Sequence, residues 1–216
     1  PRSTPLYSSA ASDVYKRQTL VQLAPVMVHD LLKLPDLASY DLSTFRLLQY
    51  ASGPMAVAHI KLALEAFGPI LMQIYGMTET GPIAIALSIE DAARKMGSIG
   101  KAVPHCEARI VDDDGRDLGP DTTGEIWLRG PNVLEAYWDN AEATEAAFHG
   151  DWFRSGDLGH TDGEGYFYVD DRKKDMITSG GENIHPAEGS GKSLAELMVG
   201  KEPEYDISGF AFGRYR

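Results

Sequence analysis

The sequence predicts an α/β fold, a parallel strand-helix-strand unit followed by an antiparallel β subdomain, on two observations. Between residues 45 and 75 an apolar run, an amphipathic stretch at helical spacing and a second apolar run follow one another, and such alternation is the pattern of a parallel α/β unit. Beyond Gly97 the texture changes to short β-like pieces punctuated by DDDGR, GPDTTG and TDGEG, turn-rich sequences of the kind that join antiparallel strands. The length of 216 residues suits one or two domains, and 43% hydrophobic residues with 24% charged ones supply a sizeable core without collagen-like or disordered bias.

Taken in order, residues 1–18 (PRSTPLYSSAASDVYKRQ) are rich in Ser, Ala and Pro and carry neither a two-residue nor a 3.6-residue period. They are expected to be a non-native leader and stand outside the fold reasoning. From Pro25 to Leu34, Val26, Met27, Leu31 and Leu32 fall at helical spacing, and Pro25 suits a first helical position. After a loop containing Pro35, Asp36 and Asp41, Phe45 to Tyr50 reads as a strand, Ala56 to Phe67 as an amphipathic helix and Ile70 to Tyr75 as a buried strand. In the β subdomain Glu107 to Val111, Glu125 to Arg129 and Tyr166 to Val169 read as strands, with a short helix over Ala141 to Phe148. The expected divisions are 1–18, 19–97, 98–171 and 172–216.

Charge narrows the function. The formal net charge is −12, which disfavours binding to the phosphate backbone of nucleic acid or to anionic lipid. The acid is concentrated: residues 107–171 hold 17 acidic and 4 basic residues, leaving the rest close to neutral. The single cysteine, Cys106, permits no intrachain disulfide and no thiolate zinc cage, so a reducing, cytoplasmic setting is expected. No stretch approaches the roughly 18 consecutive apolar residues of a membrane-spanning helix.

The familiar catalytic signatures are missing. There is no GxSxG elbow, no HExxH, no GxGxxG after a strand and no ligand spacing among the six histidines. GSGKS at 189–193 resembles a phosphate-binding loop, but that pattern needs glycine at 186, where Pro186 stands.

Three clusters remain. YGMTETGP at 75–82 follows the apolar run Ile70 to Ile74, and in an open α/β sheet the carboxyl end of a strand is where ligands bind. Tyr75 would stack on a flat base, Thr78 would donate to a phosphate oxygen and Glu79 would hold Mg²⁺; the plainer reading is a polar turn. In RSGDLG at 154–159, Asp157 sits near glycines where a carboxylate can accept from two ribose hydroxyls, or simply cap a turn. In DRKKDMITSGGENIHPAE at 171–188, Arg172, Lys173 and Lys174 form the only basic triplet, and Gly180 and Gly181 make a narrow loop; a solvated basic turn is the alternative.

Read together, YGMTETGP, GSIGKAVP, GEIWLRGPN, WFRSGDLG and DRKKDMITSGGENIHPAE resemble, in the correct order, the adenylate-forming superfamily, and most closely its fatty-acyl and aryl acid CoA ligases. The likeness runs from about Pro25 to Glu188. It implies the C-terminal part of a large adenylate-forming N-terminal domain and the start of a small C-terminal domain. It also implies a two-step ligase: a carboxylate attacks the α-phosphate of ATP to give acyl-AMP and pyrophosphate, and the thiol of CoA then displaces AMP.

By the same resemblance, Tyr75 meets adenine, Gly76 belongs to the nucleotide-binding set, Thr78 meets the α-phosphate, Glu79 Mg²⁺, and Asp157 and Arg172 the ribose. Ser52, Gly53 and Pro54 match the backbone turn against which adenine lies. Lys174 matches the hinge about which the C-terminal domain turns, and Ser179, Gly180 and Gly181 match the loop that meets CoA. The implied partners are a small carboxylic acid, ATP and CoA, with no nucleic acid.

The family's Ser/Thr/Gly-rich phosphate loop has no counterpart in this sequence, and after Glu188 the family's C-terminal lysine has none either. The expectation is therefore an incomplete ligase, inactive by itself. Two other readings share these motifs: a non-catalytic adenylate-binding module, and an amino-acid adenylation domain of peptide synthetases.

Overall fold

A computed structural model of the chain describes residues 19–172, the last two by their backbone alone. Residues 1–18, Lys174, the Ser179 to Gly181 loop, the 189–193 segment and everything else beyond 172 lie outside the described residues. The described chain divides at Leu71/Met72 into two compact units.

In the first unit, β1 (Leu20–Leu23) pairs in parallel with β2 (Leu47–Tyr50), Leu20 opposite Leu47 and Leu23 opposite Tyr50. Between them runs α1 (Pro25–Leu32), started by Pro25 in its first turn, where the missing N–H costs nothing. Helix α2 (Val57–Phe67) buries Ile60 and Ala63, three residues apart on one face. It stands beside α1, with the rings of His29 and His59 4.3 Å apart. Val28, Leu31, Leu48, Tyr50 and Ile60, each at most 1% exposed, fill this core. The expected elements are present, each trimmed by one or two residues at an end; β1 was not expected, because four residues show too short a period to read.

The second unit begins with β3, which spans Leu71–Met77 and so starts at the boundary residue. A single 3-10 turn, Thr78–Thr80, leads into β4 (Gly81–Leu87), which returns antiparallel to β3 and pairs with the short β5 (Lys101–Ala102). A four-residue helix, α3 (Ile89–Ala92), lies between β4 and β5. The sequence placed Tyr75 to Pro82 in a strand-to-loop turn. Tyr75 is in the strand, as expected for Ile70 to Tyr75; the correction is that β3 runs on through Gly76 and Met77, and the turn proper is the tip of a hairpin.

The second sheet is wholly antiparallel, as expected. Its strands are β6 (Glu107–Val111), β7 (Gly124–Arg129), β8 (Phe148–His149), β9 (Trp152–Thr161) and β10 (Phe167–Arg172), ordered β10-β9-β7-β6 with β8 paired to β9. The helix α4 (Ala141–Ala147) precedes β8. RSGDLG, expected as a glycine-flanked turn, lies inside β9, the longest strand described. Its glycines hid the strand pattern, and Gly159 explains one of them: a Cβ there would stand 2.1 Å from the Tyr168 carbonyl oxygen.

Strand β7 shows how one sequence serves two faces. Ile126 and Leu128 enter a cluster with Ala84, Ile85, Ile99, Ile110 and Phe167. On its other face Trp127 lies under the guanidinium groups of Arg109 and Arg154, 5.1 and 6.0 Å from the ring, and Trp152 lies between Arg109 and Arg129 at 4.1 and 4.5 Å. Stacked cations let large aromatic rings sit on an outer sheet face without leaving an apolar patch. Among the described residues no helix is long and apolar enough to cross a membrane.

Candidate nucleotide and metal site

The hairpin tip is built by glycine and threonine. At Gly76 a Cβ would come within 2.4 Å of the Gly81 carbonyl oxygen and 2.7 Å of the Pro82 carbonyl carbon, so only glycine lets β3 and β4 approach. The ladder shifts register between Tyr75 and Met77, where Met77 comes opposite Gly81. Thr80 is fully buried, and its Oγ1 accepts from the Met77 N–H at 3.1 Å, closing the turn from inside. This leaves Thr78 exposed and Glu79 half-buried at the tip.

Tyr75 and Asp157, 82 residues apart in sequence, meet. The Tyr75 hydroxyl donates to Oδ2 of Asp157 at 2.6 Å, and Asp157 is only 2% exposed. Asp157 is held locally as well. Its N–H donates to Ser155 Oγ at 3.0 Å, and the N–H of Gly156 donates at 3.1 Å to Oε1 of Glu125, itself 4% exposed on β7. The Arg154 guanidinium lies 3.6 Å from the same Glu125 carboxylate. Ladder irregularities fall on both sides of this stretch, between Glu125 and Trp127 on β7 and between Val169 and Asp171 on β10. Bulges of this kind re-aim side chains beside functional sites. Arg172 comes opposite Asp157 in the β9/β10 register.

Glu79 is approached from the segment between β7 and α4. The Asn132 side-chain amide donates to the Thr80 carbonyl at 2.7 Å, the Leu134 N–H to the Glu79 carbonyl at 2.7 Å, and the Tyr137 hydroxyl to Glu79 Oε1 at 2.9 Å. Burial, and next the Glu79 carboxylate that accepts its proton, raise the Tyr137 phenol above its ordinary pKa. Among the described residues no lysine, arginine or histidine forms an ion pair with Glu79.

Ser52, Gly53 and Pro54 belong to the first unit, directly after β2. Ser52 is exposed and sits at φ 68°, a left-handed conformation that a non-glycine residue adopts at a cost. The second unit thus joins Tyr75 to Asp157 and places Glu79 beside Tyr137. Thr80, Glu125, Asn132 and Tyr137 escaped the sequence reading. Thr80 stood inside YGMTETGP, and Glu125 and Asn132 inside GEIWLRGPN, without being singled out; Tyr137 lay outside every quoted motif.

The second unit holds an aromatic ring on a buried carboxylate, Tyr75 on Asp157, and at the adjacent turn a half-buried carboxylate, Glu79, that pairs with no cation among the described residues. The chain belongs to the AMP-binding enzyme family, the adenylate-forming superfamily, whose model matches residues 7–138. It is similar to the indoleacetate–CoA ligase of Aromatoleum aromaticum, 48% identical over 189 residues that cover 85% of this chain and 37% of that protein. Among solved structures it resembles the amide bond synthetase of Marinactinospora thermotolerans, with a TM-score of 0.72 and 34% identity over 79% of this chain and 35% of that one. It also resembles the o-succinylbenzoate coenzyme A synthetase of Bacillus subtilis in complex with ATP and magnesium ion, with a TM-score of 0.68 and 36% identity over 84% of this chain and 38% of that one. The chain spans about a third of the length of the relatives it matches.

Proposed function

We propose that this chain carries the nucleotide-binding part of an AMP-forming acid-CoA ligase, which joins a carboxylic acid to CoA through an acyl-adenylate with release of pyrophosphate and AMP. The hydrogen bond that ties Tyr75 to Asp157 carries the reading, because it couples the expected adenine residue to the expected ribose residue across 82 positions of sequence. Tyr75 would present its ring to adenine and Asp157 its carboxylate to the ribose, sharing or exchanging the phenol it now accepts. Gly76 would offer backbone to the nucleotide, Thr78 its hydroxyl to the α-phosphate, and Arg172 a second contact to the ribose.

The donor set suits Mg²⁺. Among the described residues no three His, Cys, Asp or Glu side chains cluster as a metal cage, but Mg²⁺ is ordinarily held by one or two carboxylates together with substrate phosphates and water. Glu79 is such a carboxylate. When bound, the ion supplies Lewis-acid neutralisation of phosphate charge. Lys174 is proposed as the hinge and Ser179, Gly180 and Gly181 as the loop that meets CoA. The similarity to an amide bond synthetase supports a second reading of the final step alone, in which an amine rather than CoA receives the acyl group. The single, buried cysteine suits a reducing compartment such as the cytoplasm.

The test is equilibrium binding of AMP and Mg·ATP, and of their 2′-deoxy forms, to the wild-type chain and to Asp157→Asn. Weakening the charged acceptor should reduce nucleotide affinity by about 1.5–3 kcal/mol, roughly 10- to 150-fold, and shrink the preference for ribose over deoxyribose. Equal discrimination in both proteins would assign Asp157 to the fold alone.

A further inference from the structure

We propose that Tyr137 is a positioning residue for Glu79, fixing the carboxylate for the metal-nucleotide complex, and that the N-terminus of α4 holds Tyr137 in place. The proposal rests on the reading of Glu79 as the ligand of Mg·ATP. A glutamate at a hairpin tip has three rotatable side-chain bonds, and a half-buried one is free to point in several directions unless something fixes it. Here the Tyr137 hydroxyl donates to Oε1 at 2.9 Å, while the Leu134 N–H holds the same residue's carbonyl at 2.7 Å. Side chain and backbone of Glu79 are therefore gripped by one short segment, and Asn132 grips the next residue.

Tyr137 is itself anchored. Its N–H donates to Thr144 Oγ1 at 3.0 Å, its carbonyl accepts from the Asn140 N–H at 3.3 Å, and Thr144 Oγ1 donates to the Asn140 carbonyl at 2.8 Å. Asn140 caps α4 by accepting from the Ala143 N–H at 3.0 Å. Thus the helix start fixes the Tyr137 backbone, and the Tyr137 ring fixes the carboxylate. The chemistry of the donor matters. A lysine or arginine there would neutralise Glu79 and compete with a cation, whereas a phenol orients the carboxylate and leaves its full negative charge for a metal.

Were the contact only a link in the fold, a neutral acceptor at position 79 would serve as well, and removing the hydroxyl would affect metal binding no differently when Glu79 is gone. A double-mutant cycle separates the two cases. The 216-residue chain, Tyr137→Phe, Glu79→Gln and the double variant would be titrated with Mn²⁺·ATP, bound metal being read by electron paramagnetic resonance, with thermal unfolding of each variant recorded alongside. Tyr137→Phe should weaken Mn²⁺·ATP binding about 10-fold or more, in the range for removal of an outer-shell partner of a metal ligand, and should add no further loss to Glu79→Gln. Thr144→Val, which loosens the Tyr137 backbone while sparing its hydroxyl, should weaken binding in the same direction and serves alone if Tyr137→Phe does not fold.

Wild-type affinity in both Tyr137→Phe and Thr144→Val, or an equal loss from Tyr137→Phe with and without Glu79, would overturn the positioning role while leaving the nucleotide reading intact. No binding of Mn²⁺·ATP by the wild-type chain would instead overturn the nucleotide reading and this proposal with it.

Discussion

Replacing Tyr75 by Phe probes the bond that joins two distant motifs. The change keeps the ring and removes one hydroxyl, which donates at 2.6 Å to a carboxylate only 2% exposed. A hydrogen bond to a charged acceptor contributes about 1.5–3 kcal/mol, roughly twice a neutral pair, because a buried carboxylate that loses a donor is not compensated by water. The second unit should lose about that much stability. Its unfolding can be followed on its own, since all three tryptophans, Trp127, Trp138 and Trp152, lie in it. With a urea slope of about 2 kcal/mol per molar, the fluorescence midpoint should fall by roughly 0.7–1.5 M. AMP binding should fall less than in Asp157→Asn, because Tyr75→Phe keeps both the ring and the Asp157 carboxylate proposed to meet the ribose. A midpoint shift under about 0.2 M at unchanged slope would show that the phenol-carboxylate bond contributes little and that burial of Asp157 is supported by its other contacts.

Two further outcomes follow from the same geometry. Gly76→Ala should destabilise the second unit by about 1–3 kcal/mol or more, since its Cβ would meet backbone atoms at 2.4–2.8 Å that cannot rotate away; a urea midpoint equal to wild type would show that the β3/β4 hairpin opens at little cost. Asp162 has its carboxyl held down to about 2: burial acts to raise it, but the Lys95 ammonium at 2.6 Å and the N–H groups of Tyr166 and Glu164 outweigh that. Its contribution to stability is therefore present above its unfolded value near 4 and is lost as pH falls through about 2. The gap in urea midpoint between wild type and Asp162→Asn should be full at pH 6 and shrink toward pH 2; a gap independent of pH would remove the ion pair as its cause.

Much of the fold was legible in residue order. The helices over 25–32 and 57–67 and the strands over 47–50, 107–111 and 124–129 follow from apolar spacing, because a helix or a strand that buries one face must repeat at 3.6 or at 2 residues. Two longer strands were illegible for one shared reason. GPIAIAL at 81–87 opens on the Gly-Pro pair that ends YGMTETGP, and RSGDLG within 152–161 carries glycines and polar residues, so both read as turns; yet Gly159, and Gly76 on the strand that pairs with GPIAIAL, are glycine because another strand's carbonyl stands where a side chain would go. Such a demand is set by a neighbour distant in sequence, so no local period records it.

The same division holds at the site. The sequence by itself determined which residue types are available: an aromatic and a carboxylate in YGMTETGP, a second carboxylate in RSGDLG, and an order of motifs that marks the family. The tertiary structure alone decided their partners. It brought Tyr75 to Asp157 across 82 residues, set Tyr137 on Glu79 across 58, and placed Glu125 beneath Gly156 across 31. Hydrogen bonds form between whatever donors and acceptors the sheets carry into reach, and reach depends on strand order and register, which the antiparallel pairing of β7, β9 and β10 fixes only once the chain has folded.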